Sequence, residues 1–315
     1  MRAVAVTRYG APEVLDVVEL PVPTPGPGCL RIKTYAAAVN PADVMLRLGQ
    51  LDPYLGALEG PYVPGMEVSG LVDEAPAESG FTRGDPVMAF VDPFTPHGGA
   101  QAEYVVVPLA HVVAVPDGLD LVAAAGLPMN ALTAHQCLAL LDLPAGATLA
   151  VTGATGALGG FTAQLAHHRG LTVIAAGDDA DHDLLRALGV DVVVPRSGGI
   201  EAYRRAVPGG VDALVDAAVL GGAALGAVRD GGQMVRCRPA EPATERDITV
   251  HTASVLEYGP RREALGELAA LAGAGHLTPR TAAVLDPADA WRAHRDLEKG
   301  GLRGRQLITF TTDGK

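Results

Sequence analysis

Aromatic residues, cysteines and long apolar runs are all scarce in this sequence, and each scarcity excludes a class of protein. Only 4% of the 315 residues are aromatic, which disfavours the base-stacking platforms of nucleic-acid-binding proteins. The three cysteines, Cys29, Cys137 and Cys237, form no CxxC pair. Reduced thiols are therefore expected, with no zinc or disulfide framework. No window reaches the roughly 18 apolar residues of a membrane span, and no signal-peptide pattern precedes the first strand-like segment.

Basic residues are outnumbered by acidic ones, 24 to 36, which gives a formal net charge of −12. Nonspecific binding of a polyanion needs a basic surface, so neither nucleic acid nor a membrane is expected as a partner. The chain is 48% hydrophobic and 19% charged. These values are typical of a soluble globular protein of one large or two ordinary domains, which we expect in the cytoplasm.

The most informative feature that is present is the glycine-rich turn VTGATGALGG at 151–160. It follows an apolar strand-like run and precedes a helix-like segment, the context in which spaced glycines form a nucleotide site rather than a turn without a ligand. The first glycine permits a tight turn, the second leaves room for a pyrophosphate, and the third lets the helix pack closely. The N-terminus of that helix attracts phosphates. The predicted cofactor-binding residues of the turn are Gly153, Ala154, Thr155, Gly156, Ala157, Leu158 and Gly159.

Two patterns of secondary structure divide the chain. Residues 1–118 consist of short strand-like segments separated by Pro and Gly, which predicts an antiparallel, barrel-like domain. From about residue 147, strand-like and helix-like segments alternate, as in a doubly wound α/β sheet. The segment LGGAALGAVRDGG at 220–232 is predicted to be one of these helices, and GQMVRCR, which follows it, one of the strands.

Several motifs in a fixed order resemble the medium-chain dehydrogenase/reductase superfamily, and specifically its zinc-independent quinone oxidoreductase branch. They are AAAVNPADVMLRLG (36–49), YVPGMEVSGLV (62–72), GDPVMAF (84–90), GGAQAEYVVVP (98–108), LPMNALTAHQCL (127–138), the glycine turn, and LEKGGLRGRQLITF (297–310). The resemblance implies an α/β chain with a GroES-like β-barrel catalytic domain from residues 1–120 and 258–315. It also implies a Rossmann domain, a doubly wound parallel sheet, from 121–257, with the active site between the two.

The resemblance also shows which residues of this chain occupy the zinc-ligand positions of related enzymes. In zinc alcohol dehydrogenases, the positions that match Asn40, Met66 and Met129 carry the catalytic zinc ligands. An amide and two thioethers are not suitable zinc ligands. The four-cysteine lobe that holds a structural zinc in those relatives is also missing. We therefore expect that the protein binds no metal ion, neither zinc nor any other.

Asn40 lies where the family lines its active site, which implies a donor to a developing enolate or to the nicotinamide ribose. The alternative is a turn asparagine before proline. Thr133 matches a threonine that contacts the nicotinamide end of the cofactor in relatives. Asp43 and Arg47 have the spacing of an ordinary i,i+4 ion pair on a helix.

Tyrosines that follow this asparagine in the family are replaced here, at the positions of Met45 and Leu51. Tyr54 is therefore our candidate for a catalytic proton donor. Tyr62 and solvent are the alternatives.

The loop after the second strand of the α/β region gives conflicting signals about the cofactor. Asp178 follows Gly159 at about the 20-residue separation of dinucleotide folds, and its carboxylate suits the ribose 2′-hydroxyl of NADH. Arg196 lies near a position where relatives contact the 2′-phosphate, which its guanidinium could bind. The resemblance favours NADPH, and we expect a slight preference for NADPH over NADH as the cofactor.

These features predict an NAD(P)H-dependent, zinc-free oxidoreductase that transfers hydride to a quinone or an α,β-unsaturated carbonyl. One alternative is a polyketide-type enoyl reductase acting on a thioester. Another is a non-catalytic dinucleotide-binding sensor, because a fold does not determine chemistry. The resemblance implies a homodimer, for which QMVRCRP (233–239) and DITVHTASV (247–255) could supply a sheet edge.

Overall fold

The computed structural model describes residues 1–238 and 246–310. Within these residues, no helix has both the length and the apolar character needed to cross a bilayer. The chain divides into two compact units. Unit 1 comprises Met1–Met129, Gly259–Gly273 and the residues from Pro279 onward, and unit 2 comprises Asn130–Tyr258 and Ala274–Thr278. The domain limits at 120/121 and 257/258 stay a prediction.

Fifteen strands are formed by the described residues. In chain order they are β1 (Arg2–Val6), β2 (Leu15–Glu19), β3 (Cys29–Val39), β4 (Glu67–Glu74), β5 (Pro86–Phe90), β6 (Tyr104–Pro108), β7 (Val112–Ala114), β8 (Thr148–Thr152), β9 (Thr172–Gly177), β10 (Val192–Pro195), β11 (Val211–Asp216), β12 (Val228–Arg236), β13 (Thr249–Thr252), β14 (Thr281–Leu285) and β15 (Arg305–Thr309).

Ten α-helices lie between these strands in the described part of the chain. They are α1 (Pro41–Arg47), α2 (Asp52–Leu55), α3 (Leu121–Ala124), α4 (Pro128–Leu141), α5 (Ala157–His168), α6 (His182–Ala187), α7 (Gly199–Ala206), α8 (Val255–Tyr258), α9 (Arg262–Gly273) and α10 (Ala290–Lys299). Short 3-10 turns precede or connect several of them.

Unit 2 is built on a parallel sheet with the strand order β10-β9-β8-β11-β12-β13. The first strand of this sheet, β8, is central. Strands β9 and β10 follow on one side of it, and β11, β12 and β13 lie on the other side. This order is typical of dinucleotide-binding folds, in which the ligand binds where the strand order reverses. In unit 2 the order reverses between the neighbouring strands β8 and β11. Apolar strand residues such as Ala150, Ile174 and Leu214 are almost completely buried, because helices cover both faces.

Unit 1 contains a seven-stranded, mainly antiparallel sheet organised around the long strand β3. Along most of the sheet the order is β14-β15-β3-β4-β5-β7, with β6 also paired to β3. Strands β1 and β2 form a separate antiparallel pair. Alternate residues of β3, including Leu30 and Ile32, face a core that also contains Val68 and Ile308. The α/β class with one mixed and one parallel sheet is thereby confirmed.

One predicted element is wrong. The segment 220–232 is not an α-helix: it forms a 3-10 turn at Gly221–Ala227, and strand β12 already begins at Val228. Glycines destabilise a helix by about 1 kcal/mol each, and the turn contains three of them. Of the predicted sheet edges, Pro239 lies outside the described residues, as do the last five residues of the predicted catalytic domain.

Candidate functional site

The glycine turn joins the carboxyl end of β8 to the start of α5. Gly153 has a φ of +64°, a conformation that residues with a Cβ rarely adopt. A Cβ on Gly159 would lie 2.4 Å from the carbonyl oxygen of Gly153, closer than real atoms approach. Gly156 is the N-cap of α5 and donates its own N–H to the same carbonyl at 2.9 Å. The turn therefore requires its first and third glycines for backbone reasons alone.

Asp216, at the carboxyl end of the neighbouring strand β11, is a residue of the candidate site that was not among the predicted site residues. Its carboxylate is buried and accepts hydrogen bonds from the Thr152 hydroxyl at 2.8 Å and from the amides of Leu220 and Gly221 at 3.0 and 2.8 Å. Ala218 donates its amide to the Thr152 hydroxyl at 3.0 Å. The carboxyl ends of β8 and β11 are thus connected through side chains. An acidic residue that ends the apolar run VDALVD was the available signal.

Arg196 and Asp178, which gave conflicting signals on the cofactor, are bonded to each other. The Arg196 Nε atom donates to Asp178 Oδ2 at 2.9 Å, and its Nη2 atom donates to Asp181 Oδ2 at 2.6 Å. The Asp178 side chain is 58% exposed, whereas that of Asp181 is 4% exposed. The guanidinium is therefore held by one buried and one exposed carboxylate, beyond the end of β9.

Thr133 lies in α4 and is almost completely buried. His135, on the same helix, places its Nδ1 atom 2.7 Å from the hydroxyl of Tyr258, the last residue of α8. The assigned contact between Thr133 and a nicotinamide stays a prediction.

In unit 1, two of the residues that the resemblance matches to zinc-ligand positions, Asn40 and Met129, donate hydrogen bonds to a buried carboxylate, Glu67. Its Oε1 atom accepts a hydrogen bond from Asn40 Nδ2 at 3.1 Å, and its Oε2 atom accepts one from the Met129 amide at 2.8 Å. The buried Arg305 places its Nε atom 4.0 Å from Glu67 Oε1 and donates from Nη1 to the Val39 carbonyl at 3.1 Å. Burial lowers the pKa of Arg305, and the nearby Glu67 charge partly offsets this.

Asp43 belongs to the same buried region and does not pair with Arg47, so the predicted i,i+4 ion pair is wrong. As the third residue of α1, its carboxylate turns back to accept the Asn40 amide at 2.7 Å, and it also accepts the Gly65 amide at 2.8 Å. Burial raises the pKa of Asp43 to about 7, against the opposing effect of these amides. Arg47 instead donates to Glu298 Oε1 at 2.6 Å and to the Gly10 carbonyl.

The side chains at the three positions matched to zinc ligands do not suit a zinc ion as ligands. Asn40 offers an amide that is already bonded to Glu67, and Met66 and Met129 offer thioethers, whereas zinc is held by Cys, His or carboxylate ligands. Across residues 1–238 and 246–310, no group of three or more His, Cys, Asp or Glu side chains could hold a metal ion.

The two candidate tyrosines have different surroundings in unit 1. Tyr54, in α2, is 55% exposed, and its ring centroid lies 5.3 Å from that of Phe94. The Tyr62 hydroxyl donates to the Leu58 carbonyl at 3.1 Å, and its ring stacks on Tyr9 at 6.3 Å. The catalytic role of Tyr54 stays a prediction.

Two family models match this chain: the alcohol dehydrogenase GroES-like domain over residues 26–117 and the zinc-binding dehydrogenase over residues 188–308. The chain is also 30% identical over 266 residues to the NADPH-dependent alkenal/one oxidoreductase, chloroplastic, of Arabidopsis thaliana, covering 82% of this chain and 68% of that protein. The chain belongs to the quinone oxidoreductase branch of the medium-chain dehydrogenase/reductase superfamily. The expected GroES-like and Rossmann domains are thereby confirmed.

Other similar proteins align with the chain to different extents. The quinone oxidoreductase of Coxiella burnetii superposes with a TM-score of 0.87 at 26% identity, covering 99% of each chain. The spectinabilin polyketide synthase system protein NorB of Streptomyces orinoci is 30% identical over 325 residues, which is 97% of this chain and 14% of that protein. The chain spans only about half to three fifths of the length of several other relatives.

Proposed function

We propose that this branch member transfers a hydride from a nicotinamide dinucleotide to a quinone or an α,β-unsaturated carbonyl. The observation that carries the proposal is the glycine turn at the reversal point of the parallel sheet, where the Gly159 position has no room for a Cβ. The names of two relatives, an alkenal/one oxidoreductase and a quinone oxidoreductase, support the choice of acceptor.

When bound, the dinucleotide supplies the hydride. The first turn of α5 would hold the pyrophosphate, because helix N-termini present amide N–H groups and a partial positive charge. Asn40 would donate a hydrogen bond to the acceptor oxygen or to the nicotinamide ribose, with its amide oriented by Glu67. Thr133 would contact the nicotinamide end, and Tyr54 would supply a proton to the product. We propose that the reaction proceeds without zinc, because the side chains around Glu67 do not suit that metal.

For the electron donor we propose NADPH slightly ahead of NADH. Asp181 is buried and holds Arg196 in place, whereas the Arg196–Asp178 pair is exposed and of the kind that contributes about 1 kcal/mol or less. A 2′-phosphate could therefore replace the Asp178 carboxylate on the guanidinium at little cost. The remaining negative charge of Asp178 keeps the preference small, and its carboxylate suits the ribose 2′-hydroxyl of NADH.

The test is to follow the absorbance of NADPH and NADH separately with purified protein, with and without simple quinones and enones. We expect acceptor-dependent oxidation of both nucleotides, faster with NADPH. A protein with the exposed change His182→Gln serves as a control that leaves the proposed site intact. Tight nucleotide binding without turnover on any acceptor would overturn the proposal and favour the non-catalytic sensor.

A second candidate is enoyl reduction of a carrier-bound thioester. It is favoured by the similarity to NorB, a polyketide synthase system protein, over 97% of this chain. Competition between a simple quinone and an enoyl thioester distinguishes the two. A kcat/KM at least about tenfold higher for the thioester, equivalent to about 1.4 kcal/mol, would favour this candidate.

We further propose a cytoplasmic homodimer that pairs through β13. Among the residues that the structure describes, this strand ends the sheet order of unit 2 and pairs only with β12, which leaves an edge that can pair with another chain. Light scattering after gel filtration should give twice the mass of one chain, and a monomer mass would overturn the dimer.

A further inference from the structure

Cys137 and Cys237 are neighbours in space although 100 residues separate them in sequence. Their sulfur atoms lie 3.9 Å apart. Cys137, on α4, is completely buried, and Cys237, directly after the end of β12, is partly exposed. Both residues belong to unit 2. A disulfide bond would require the two sulfurs to approach by about 2 Å.

The Cys137–Cys237 pair lies at the carboxyl edge of the parallel sheet. Arg236, the last residue of β12, is in register with Asp216, the last residue of β11. Cys237 follows immediately, so it lies at the same edge as the glycine turn. Cys237 is therefore partly exposed at the sheet edge where we propose that the cofactor binds, and Cys137 is buried in the core.

The two thiols are also electrostatically unequal. A hydrogen bond from the Cys137 thiol stabilises a thiolate on Cys237 and lowers its pKa, against the opposing effects of burial and of the Asp216 charge. The same interaction and its own burial raise the pKa of Cys137. Thiolates are the nucleophiles of cysteine chemistry, so the more accessible sulfur is also the more reactive one.

We propose that Cys137 and Cys237 are a redox-sensitive thiol pair that a hydroperoxide converts to an intramolecular disulfide. The Cys237 thiolate attacks the terminal peroxide oxygen, the O–O bond breaks, and an alcohol leaves after protonation, which gives a sulfenic acid on Cys237. The Cys137 sulfur then attacks the Cys237 sulfur and expels hydroxide, which leaves as water with the Cys137 proton. Two thiols lose two electrons, and the hydroperoxide gains them.

The test uses the full chain, which is reduced, treated with hydrogen peroxide, unfolded in denaturant so that the buried Cys137 can react, alkylated, digested and analysed by mass spectrometry. We expect the number of alkylated cysteines to fall from three to one, with a single cross-linked peptide that joins Cys137 to Cys237. A thiol reductant should restore all three. The matched control is Cys29→Ser, at the start of β3 in unit 1, which should leave the cross-link unchanged.

A second variant tests the order of the steps. In Cys137→Ala, we expect a sulfenic acid on Cys237 that dimedone traps, and no cross-link. The proposal is overturned if Cys137 and Cys237 are both still alkylated throughout the peroxide range in the wild-type chain. It is also overturned if Cys237 is oxidised further while Cys137 remains a free thiol. Both of these outcomes are measured on the wild-type protein, so they do not depend on how well the variant folds.

Discussion

Glu67 and Asp178 are both carboxylates near an arginine, but Glu67 is completely buried, whereas the Asp178 side chain is 58% exposed. Burial makes the Glu67 region of unit 1 sensitive to any lost charge or hydrogen bond, because a buried group without a partner cannot turn to water. The Asp178 pair in unit 2 can exchange partners at little cost. The Glu67 region is therefore expected to respond to mutation mainly through stability, and the region around Asp178 mainly through ligand binding.

The largest expected effect is that of Glu67→Gln. The change removes the negative charge 4.0 Å from the buried Arg305 and puts an amide nitrogen opposite one of two donors, Asn40 Nδ2 or the Met129 amide. Loss of one partner from a buried ion pair costs about 3–5 kcal/mol. Urea unfolding should show a decrease of this size in the free energy of unfolding.

The matched control for this variant is Glu103→Gln, because Glu103 pairs with Arg2 at a partly exposed site at 2.8 Å. That change should cost about 1 kcal/mol. Equal costs for the two variants would remove the contrast between buried and exposed carboxylates.

Gly159→Ala should have the next largest effect, and in unit 2 we expect it on nucleotide binding. The new methyl group would lie 2.4 Å from the Gly153 carbonyl oxygen, so the turn and α5 must move apart. Such overpacking costs about 1–3 kcal/mol. If the moved turn no longer presents its amides to a phosphate, calorimetric titration should show NADPH affinity reduced by up to about 100-fold.

The control is Gly266→Ala in α9, where a Cβ would meet no atom within 4 Å. It should leave nucleotide affinity unchanged and raise stability by about 0.5–1 kcal/mol. Unchanged NADPH affinity in Gly159→Ala would contradict the assignment of the turn as the pyrophosphate site.

A third prediction concerns His294, which is completely buried in α10 and has no hydrogen-bond partner on either ring nitrogen among the described residues. Burial, with a contribution from the Arg47 charge, lowers its pKa from 6.5 to about 3. The folded state thus keeps this imidazole neutral while the unfolded chain binds a proton below pH 6.5. The contribution of the neutral His294 imidazole to the free energy of unfolding is complete above pH 6.5 and is lost as the pH falls toward 3.

Replacement by an apolar side chain of similar size should remove this acid sensitivity. Between pH 7 and pH 5, we expect His294→Leu to lose about 2 kcal/mol less stability than the wild-type chain in urea unfolding. His182→Leu, at the exposed start of α6, should follow the wild-type pH dependence. If the free energy of unfolding falls equally with pH in His294→Leu and in the wild-type chain, His294 does not cause the loss of stability in acid.

Backbone requirements were more predictable from this sequence than side-chain partnerships. The glycine spacing located the turn between β8 and α5, because tight turns and close helix packing tolerate few other residues. The partners of Asp43 could not be predicted, because local i,i+4 spacing favoured Arg47, whereas the fold brings the Gly65 amide to its carboxylate. Sequence spacing also carries no information on the proximity of Cys137 and Cys237, which depends on how α4 packs near the end of β12.

The smallest predicted effect is that of Asp178→Ser, and it tests whether an exposed carboxylate controls cofactor choice. The change leaves Arg196 bonded to the buried Asp181 and removes the negative charge that competes with a 2′-phosphate. We expect the ratio of kcat/KM for NADPH to that for NADH to rise about tenfold, equivalent to about 1.4 kcal/mol, with a change in stability below about 1 kcal/mol. Arg196→Ala should lower the same ratio, whereas Arg229→Ala, which breaks an exposed pair with Asp212 at 2.9 Å, should leave it unchanged. A ratio that is insensitive to both Asp178→Ser and Arg196→Ala would place the control of cofactor choice on other residues.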